Sequence, residues 1–118
     1  MRTIAVVLVA LVALLHGYFL VLEMFLWRTR ARHIFGMTAE KADATAQLAG
    51  NQGLYNGFLA AGLVWALLSG NQLVPRATFF LVCVAAAGIY GAATVQRKIL
   101  VVQTVPAALA LAALLLGS

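Results

Sequence analysis

From Thr3 to Trp27 only one charged side chain, Glu23, interrupts an otherwise apolar run, and three later runs carry no Lys, Arg, Asp or Glu at all. These are Leu48–Leu68, Ala77–Val95 and Ile99–Leu116. Each approaches the roughly 20 helical residues needed to cross a hydrocarbon core. The chain of 118 residues is 64% hydrophobic and 9% charged, against about 25% charged residues in an ordinary soluble domain. There is too little polar surface to cover four such runs in water. The expectation is an all-α polytopic membrane protein, an antiparallel bundle of four transmembrane helices forming one domain over residues 1–118. Its spans are expected at about 3–27, 48–68, 77–95 and 99–116, with a polar loop at 28–47. The first run is too long for a signal-peptide core, and no convincing cleavage site ends it, so it reads as a retained helix.

The connections support that arrangement. Gly36 is a candidate turn, Thr38 a candidate N-cap, and Glu40 suits the first turn of a helix starting near Ala39. Ser69-Gly70-Asn71-Gln72 before Pro75 reads as a turn. Gln96-Arg97-Lys98 is a tight third connection, and short connections make neighbouring helices antiparallel.

The net charge of +5 does not point to nucleic acid, because the basic residues sit between apolar runs, where topology signals sit. Arg28, Arg30, Arg32, Lys41, Arg97 and Lys98 fall on one side, Arg2 and Arg76 on the other. This bias places the first and third loops in the cytoplasm and both termini outside it. The single cysteine, Cys83, cannot form an intrachain disulfide, and with two distant histidines it makes no metal signature.

Polar side chains inside a bilayer are costly and usually face a bundle interior or a cavity. Glu23, Asn51, Gln52, Tyr55, Asn56, Tyr90, Thr94 and Gln103 all fall in the cytoplasmic half, at similar depth by helical rise. His16 and Glu23 are seven residues apart and share a face within roughly 20°, and Trp27 continues that stripe. Gly53, Gly57 and Ala61 form a strip of small residues suited to close helix contact. Cys83, Ala87 and Gly91 do the same on the third run. Pro106 leaves the Val102 carbonyl without its helical donor. Hydrogen bonding between helices serves Asn51, Gln52, Asn56 and Gln103 as well as ligand contact does. Trp27 and Trp65 fit packing or interfacial roles. An embedded carboxyl is different: it is either neutral or paired with a cation, here Arg97, Lys98 or Arg28. Glu23 is therefore the candidate acid/base. His16, Asn51, Gln52, Tyr55, Asn56, Tyr90, Arg97 and Gln103 are candidate ligand-binding groups.

Several motifs carry a resemblance. Leu22-Glu23-Met24-Phe25-Leu26-Trp27, Phe35-Gly36-Met37-Thr38, the run from Asn51 to Leu63, and Ala87 to Thr94 together resemble an uncharacterised family of short bacterial membrane proteins. The order of parts is more distantly similar to the MAPEG superfamily, four-helix homotrimers of eicosanoid and glutathione metabolism. That resemblance implies a lipophilic or glutathione-like ligand at cytosolic depth, with Asn51 and Tyr90 at motif positions. The chain departs from the pattern at Gly88, where the superfamily carries the Arg that holds the glutathione thiolate. It also lacks the acidic residue expected soon after Asn51. These departures count against glutathione chemistry, since a thiolate needs a nearby cation. Two other readings remain open: a small proton-coupled exporter, against which the one-sided charge bias argues, and a structural membrane subunit in which the polar layer is interhelical glue.

Overall fold

In the computed structural model, which describes residues 2–117, the chain is all-α: helices and turns account for its regular structure, and no strand occurs among the described residues. Helix α1 covers Arg2–Met24. A π-helical turn, Trp27–Ala31, leads into the short helix α2, Arg32–Phe35. Helix α3 spans Ala39–Leu67. A 3-10 turn, Gly70–Gln72, precedes α4, Leu73–Thr94. A second π turn, Leu100–Thr104, runs into α5, Val105–Leu116.

The local chemistry explains these boundaries. Gly36 ends α2 at φ 65°, a left-handed conformation that suits glycine. The Gly36 amide donates to the His33 carbonyl and the Met37 amide to the Arg32 carbonyl. Those two bonds make a Schellman stop. Two residues on, the Thr38 hydroxyl accepts the Lys41 amide at 3.1 Å and caps α3. Pro75 sits in the first turn of α4, where its missing N–H is no loss. Helix α4 thus begins at Leu73, four residues before the expected span. Near the C-terminus the Val105 amide reaches back to the Leu100 carbonyl. This wider turn, placed just before Pro106, accommodates the break that proline forces in the helical ladder.

The chain divides into two compact units. One holds α1 as far as Ala13 together with everything from Ala61 onward. Its core is made of short and medium apolar side chains: Ala5, Val9 and Val12 of α1, Leu63 and Ala66 of α3, Leu81 and Val84 of α4, and Ala107, Ala110 and Leu114 of α5. Small residues let helices approach closely, and Gly88 shows how closely. A Cβ there would run into the Thr104 hydroxyl and lie 2.9 Å from the Thr104 amide nitrogen. The same hydroxyl donates to the Ala85 carbonyl at 3.1 Å, bonding the second π turn to α4. Gly91 meets Ile99 in a similar way, and Gly62 faces the Phe80 ring. The Arg76 guanidinium lies 3.9 Å from the Trp65 ring centroid. The other unit, Leu14–Ala60, is described below.

Two helical stretches, Arg2–Met24 and Gly70–Thr94, are long and apolar enough to cross a membrane. Leu100–Leu116 is apolar but shorter. Helix α3 is the longest of all, yet Asn51, Gln52 and Asn56 in its middle keep it out of that group. On length and composition, two of the four expected spans meet this measure.

Two glycines separate packing from propensity. A Cβ at Gly50 of α3 would meet nothing within 4 Å, so Gly50→Ala should raise stability by up to about 1 kcal/mol through helix propensity alone. Gly88→Ala should lower it by about 1–3 kcal/mol, because the added atom overpacks the Thr104 contact. Unfolding of the two variants in the same detergent checks the opposite signs.

Candidate functional site

Within the second unit, α1 and α3 are held together by glycine. A Cβ at Gly53 would lie 2.8 Å from Met24 Cγ, 3.0 Å from Glu23 Cβ and 3.3 Å from the Leu20 carbonyl oxygen. A Cβ at Gly57 would run into the Leu20 side chain. Two glycines one helical turn apart therefore form the surface on which α1 rests, as the small-residue strip suggested. Along the same face of α3, Ala42, Ala49, Gly53 and Asn56 are buried. Their spacing repeats in threes, fours and sevens, the spacing of one helix face.

That approach delivers Glu23 to Asn56. Asn56 Nδ2 donates to Glu23 Oε1 at 2.5 Å. Asn56 is buried and Glu23 half-buried. Among the described residues Asn56 is the carboxyl's one hydrogen-bond partner and Glu23 enters no ion pair. The amide holds one oxygen of the carboxyl. The second oxygen is left for a proton or a ligand donor. The cationic partner expected from the sequence is not Arg28: its Nε lies 2.6 Å from Asp43 Oδ1. Arg28 belongs to a π turn beyond the end of α1, which carries its side chain onto α3 instead.

Trp27 makes the next contact along. Its indole N–H donates to the Thr45 hydroxyl at 3.0 Å, and that hydroxyl donates in turn to the Lys41 carbonyl at 2.7 Å. A partly buried indole N–H needs an acceptor, and Thr45 supplies it. The Trp27 ring also sits 5.9 Å from that of Phe35. His16 is fully buried, and its ring meets Phe19 edge-on at 5.2 Å.

The remaining candidates separate. Asn51, Gln52 and Tyr55 are exposed, Asn51 and Tyr55 on the side of α3 away from Gly53 and Gln52 at the border of the Asn56 face. Tyr55 contacts Phe58 edge-to-face at 5.9 Å. Tyr90, Arg97 and Gln103 belong to the other unit. Tyr90 and Arg97 are exposed, and Gln103 is half-buried in the second π turn. The Tyr90 carbonyl accepts the Thr94 hydroxyl at 2.7 Å. Among the described residues no group of three or more His, Cys, Asp or Glu side chains could hold a metal ion. Sequence reasoning missed Asp43, Thr45 and Thr104. The signal for Thr45 was present in Trp27, whose donor required a partner within reach.

Residues 10–115 match the family described as "Protein of unknown function (DUF1304)". The chain belongs to that family. It is also 30% identical over 114 residues to the uncharacterized protein YpaA of Lactococcus lactis subsp. lactis (strain IL1403), covering 94% of this chain and 96% of that protein. No solved structure matches the chain.

Trp27→Phe keeps the ring beside Phe35 and removes the donor to Thr45. It should cost about 1 kcal/mol. Arg28→Gln should cost far less, because the Arg28 and Asp43 side chains are 64% and 67% exposed and water screens such pairs. Equilibrium unfolding of both variants measures the difference.

Proposed function

We propose that this chain is an integral membrane protein of the bacterial cytoplasmic membrane in which α3 and the shorter stretch Leu100–Leu116 cross the bilayer together with the two long apolar stretches. The tilt of basic residues toward the first and third loops supports an orientation with both termini outside the cytoplasm. In that setting Glu23 and Asn56 lie at cytoplasmic depth. They form the polar heart of a site that binds, or acts on, a lipophilic small molecule entering from the bilayer.

One observation carries this reading. Glu23 is a half-buried carboxyl on an apolar helix, held by a single neutral amide, with no ion pair among the described residues. An ionisable group within a membrane segment points to function before architecture. A carboxyl fixed through one oxygen has its other oxygen available to take up or release a proton, or to accept a ligand's donor. His16, on the same side of α1, lengthens the polar stripe toward mid-membrane.

The distant MAPEG likeness suggests a homotrimer and a glutathione-like ligand. The first stays part of the proposal, and the packing argues against the second. At Gly88, where that superfamily places a thiolate-holding Arg, a side chain would collide with Thr104. No cation can occupy that position without separating the second π turn from α4. A lipophilic molecule bearing a polar head is therefore the better occupant.

Glu23→Gln preserves the size and the hydrogen-bonding shape of the side chain but removes its acidity. The variant should assemble with nearly unchanged thermal stability and lose at least tenfold in ligand affinity or turnover. The measurement is binding of lipophilic compounds to the detergent-solubilised protein, with Tm recorded in parallel. Retained binding would remove Glu23 from the site. A large fall in Tm alone would favour the structural-subunit reading.

A further inference from the structure

The segment between α1 and α3 is a fastened platform, not a slack connection. The Trp27 indole is tied to Thr45, Arg28 to Asp43, and Arg32 Nε to the Met37 carbonyl at 3.2 Å. The Schellman stop at Gly36 and the Thr38 cap fix the backbone on either side. Two of the cations on this platform are thus committed to groups within the protein.

The others are not. Arg30 and Lys41 are exposed, and among the described residues their side chains enter no ion pair; the His33 side chain is exposed as well. Glu40, also exposed, is placed in the first turn of α3, where the helix dipole suits it. Beside these cations the platform exposes apolar bulk: Phe25 at 70%, Ile34 at 52% and Phe35 at 50% of their surface. Arg30 and Ile34 are four residues apart, and His33 lies between them. Unpaired positive charge next to large apolar side chains suits neither water nor a nucleic-acid backbone, which has no use for the apolar part. A lipid surface satisfies both. Its phosphates take guanidinium groups, and its acyl boundary takes aromatic and aliphatic side chains.

We propose that this platform is a binding site for acidic phospholipid headgroups, with Arg30 taking the phosphate, His33 and Lys41 flanking it, and Phe25, Ile34 and Phe35 seated at the acyl boundary. The proposal rests on the membrane reading above and adds to it a specific lipid class and a specific surface. It does not involve Glu23 or Asn56. Fixing the platform in advance lowers the ordering cost of binding.

The test uses the full chain. Native membranes containing it are first washed in alkaline carbonate. The protein is then purified into micelles containing equimolar phosphatidylglycerol and phosphatidylcholine, and bound lipid is counted by native mass spectrometry. The expected result is retention in the carbonate pellet and a several-fold excess of bound phosphatidylglycerol. Arg30→Gln should reduce that excess about fivefold, near the weight of one basic residue at an anionic surface. Arg76→Gln, which alters a cation stacked on Trp65 away from the platform in sequence, should leave it unchanged. Release by carbonate would overturn the membrane reading and this proposal together. An integral protein that retains the two lipids equally, or whose preference survives Arg30→Gln, would overturn this proposal alone.

Discussion

The close contact of α1 with α3 at Gly53 and Gly57 is the constraint from which the rest of the second unit follows. With no side chain on either glycine, Leu20, Glu23 and Met24 come to rest almost on the α3 backbone. At that separation Asn56, three residues beyond Gly53, reaches Glu23 with its amide. A larger residue at Gly53 would press on Glu23 Cβ and the Leu20 carbonyl oxygen, and one at Gly57 would displace the end of the Leu20 side chain. The polar pair is therefore a consequence of the apolar packing. Interhelical hydrogen bonds of this kind contribute modestly to stability, and small residues supply the approach.

The same device recurs in the other unit with a different outcome. Gly88 admits Thr104, whose hydroxyl then bonds to a helical carbonyl. Here the close approach brings together a neutral pair and a π turn that relieves Pro106. Glycine-mediated contact thus serves two ends in one short chain. It locks a helix break in one unit and presents an ionisable group in the other.

Much of this was legible in the residues, and the rest was hidden for a definable reason. Of the small-residue strip, Gly53 and Gly57 make the close contact while Ala61 is exposed; the Gly36 turn, the Thr38 cap and the disturbance at Pro106 each follow from one residue's own conformational or steric demands, and each is found. Features that depend on register between two helices were not legible. Depth placed Asn51, Gln52, Tyr55 and Asn56 together, but only Asn56 shares the buried face with Gly53; the others are exposed. Arg28 looked able to reach back to Glu23, but the π turn after α1 rotates the chain and delivers it to Asp43. A π turn leaves no clear mark in composition, so that rotation could not be read in advance. Helix length misled at one end: α3 starts at Ala39 as its cap implies, but α4 begins four residues before its apolar run, where Pro75 and the preceding turn, not hydropathy, set the boundary.

The central claim is that Glu23 and Asn56 act as a single unit created by the α1–α3 contact. A double-mutant cycle measures it most directly. Unfolding free energies of the unaltered protein, Glu23→Leu, Asn56→Leu and the double variant, each single change removing the hydrogen bond, are determined under one set of bilayer conditions. The account predicts a coupling energy of about 0.5–2 kcal/mol between the two positions. Strictly additive effects would contradict it, since independent side chains on two helices owe each other nothing.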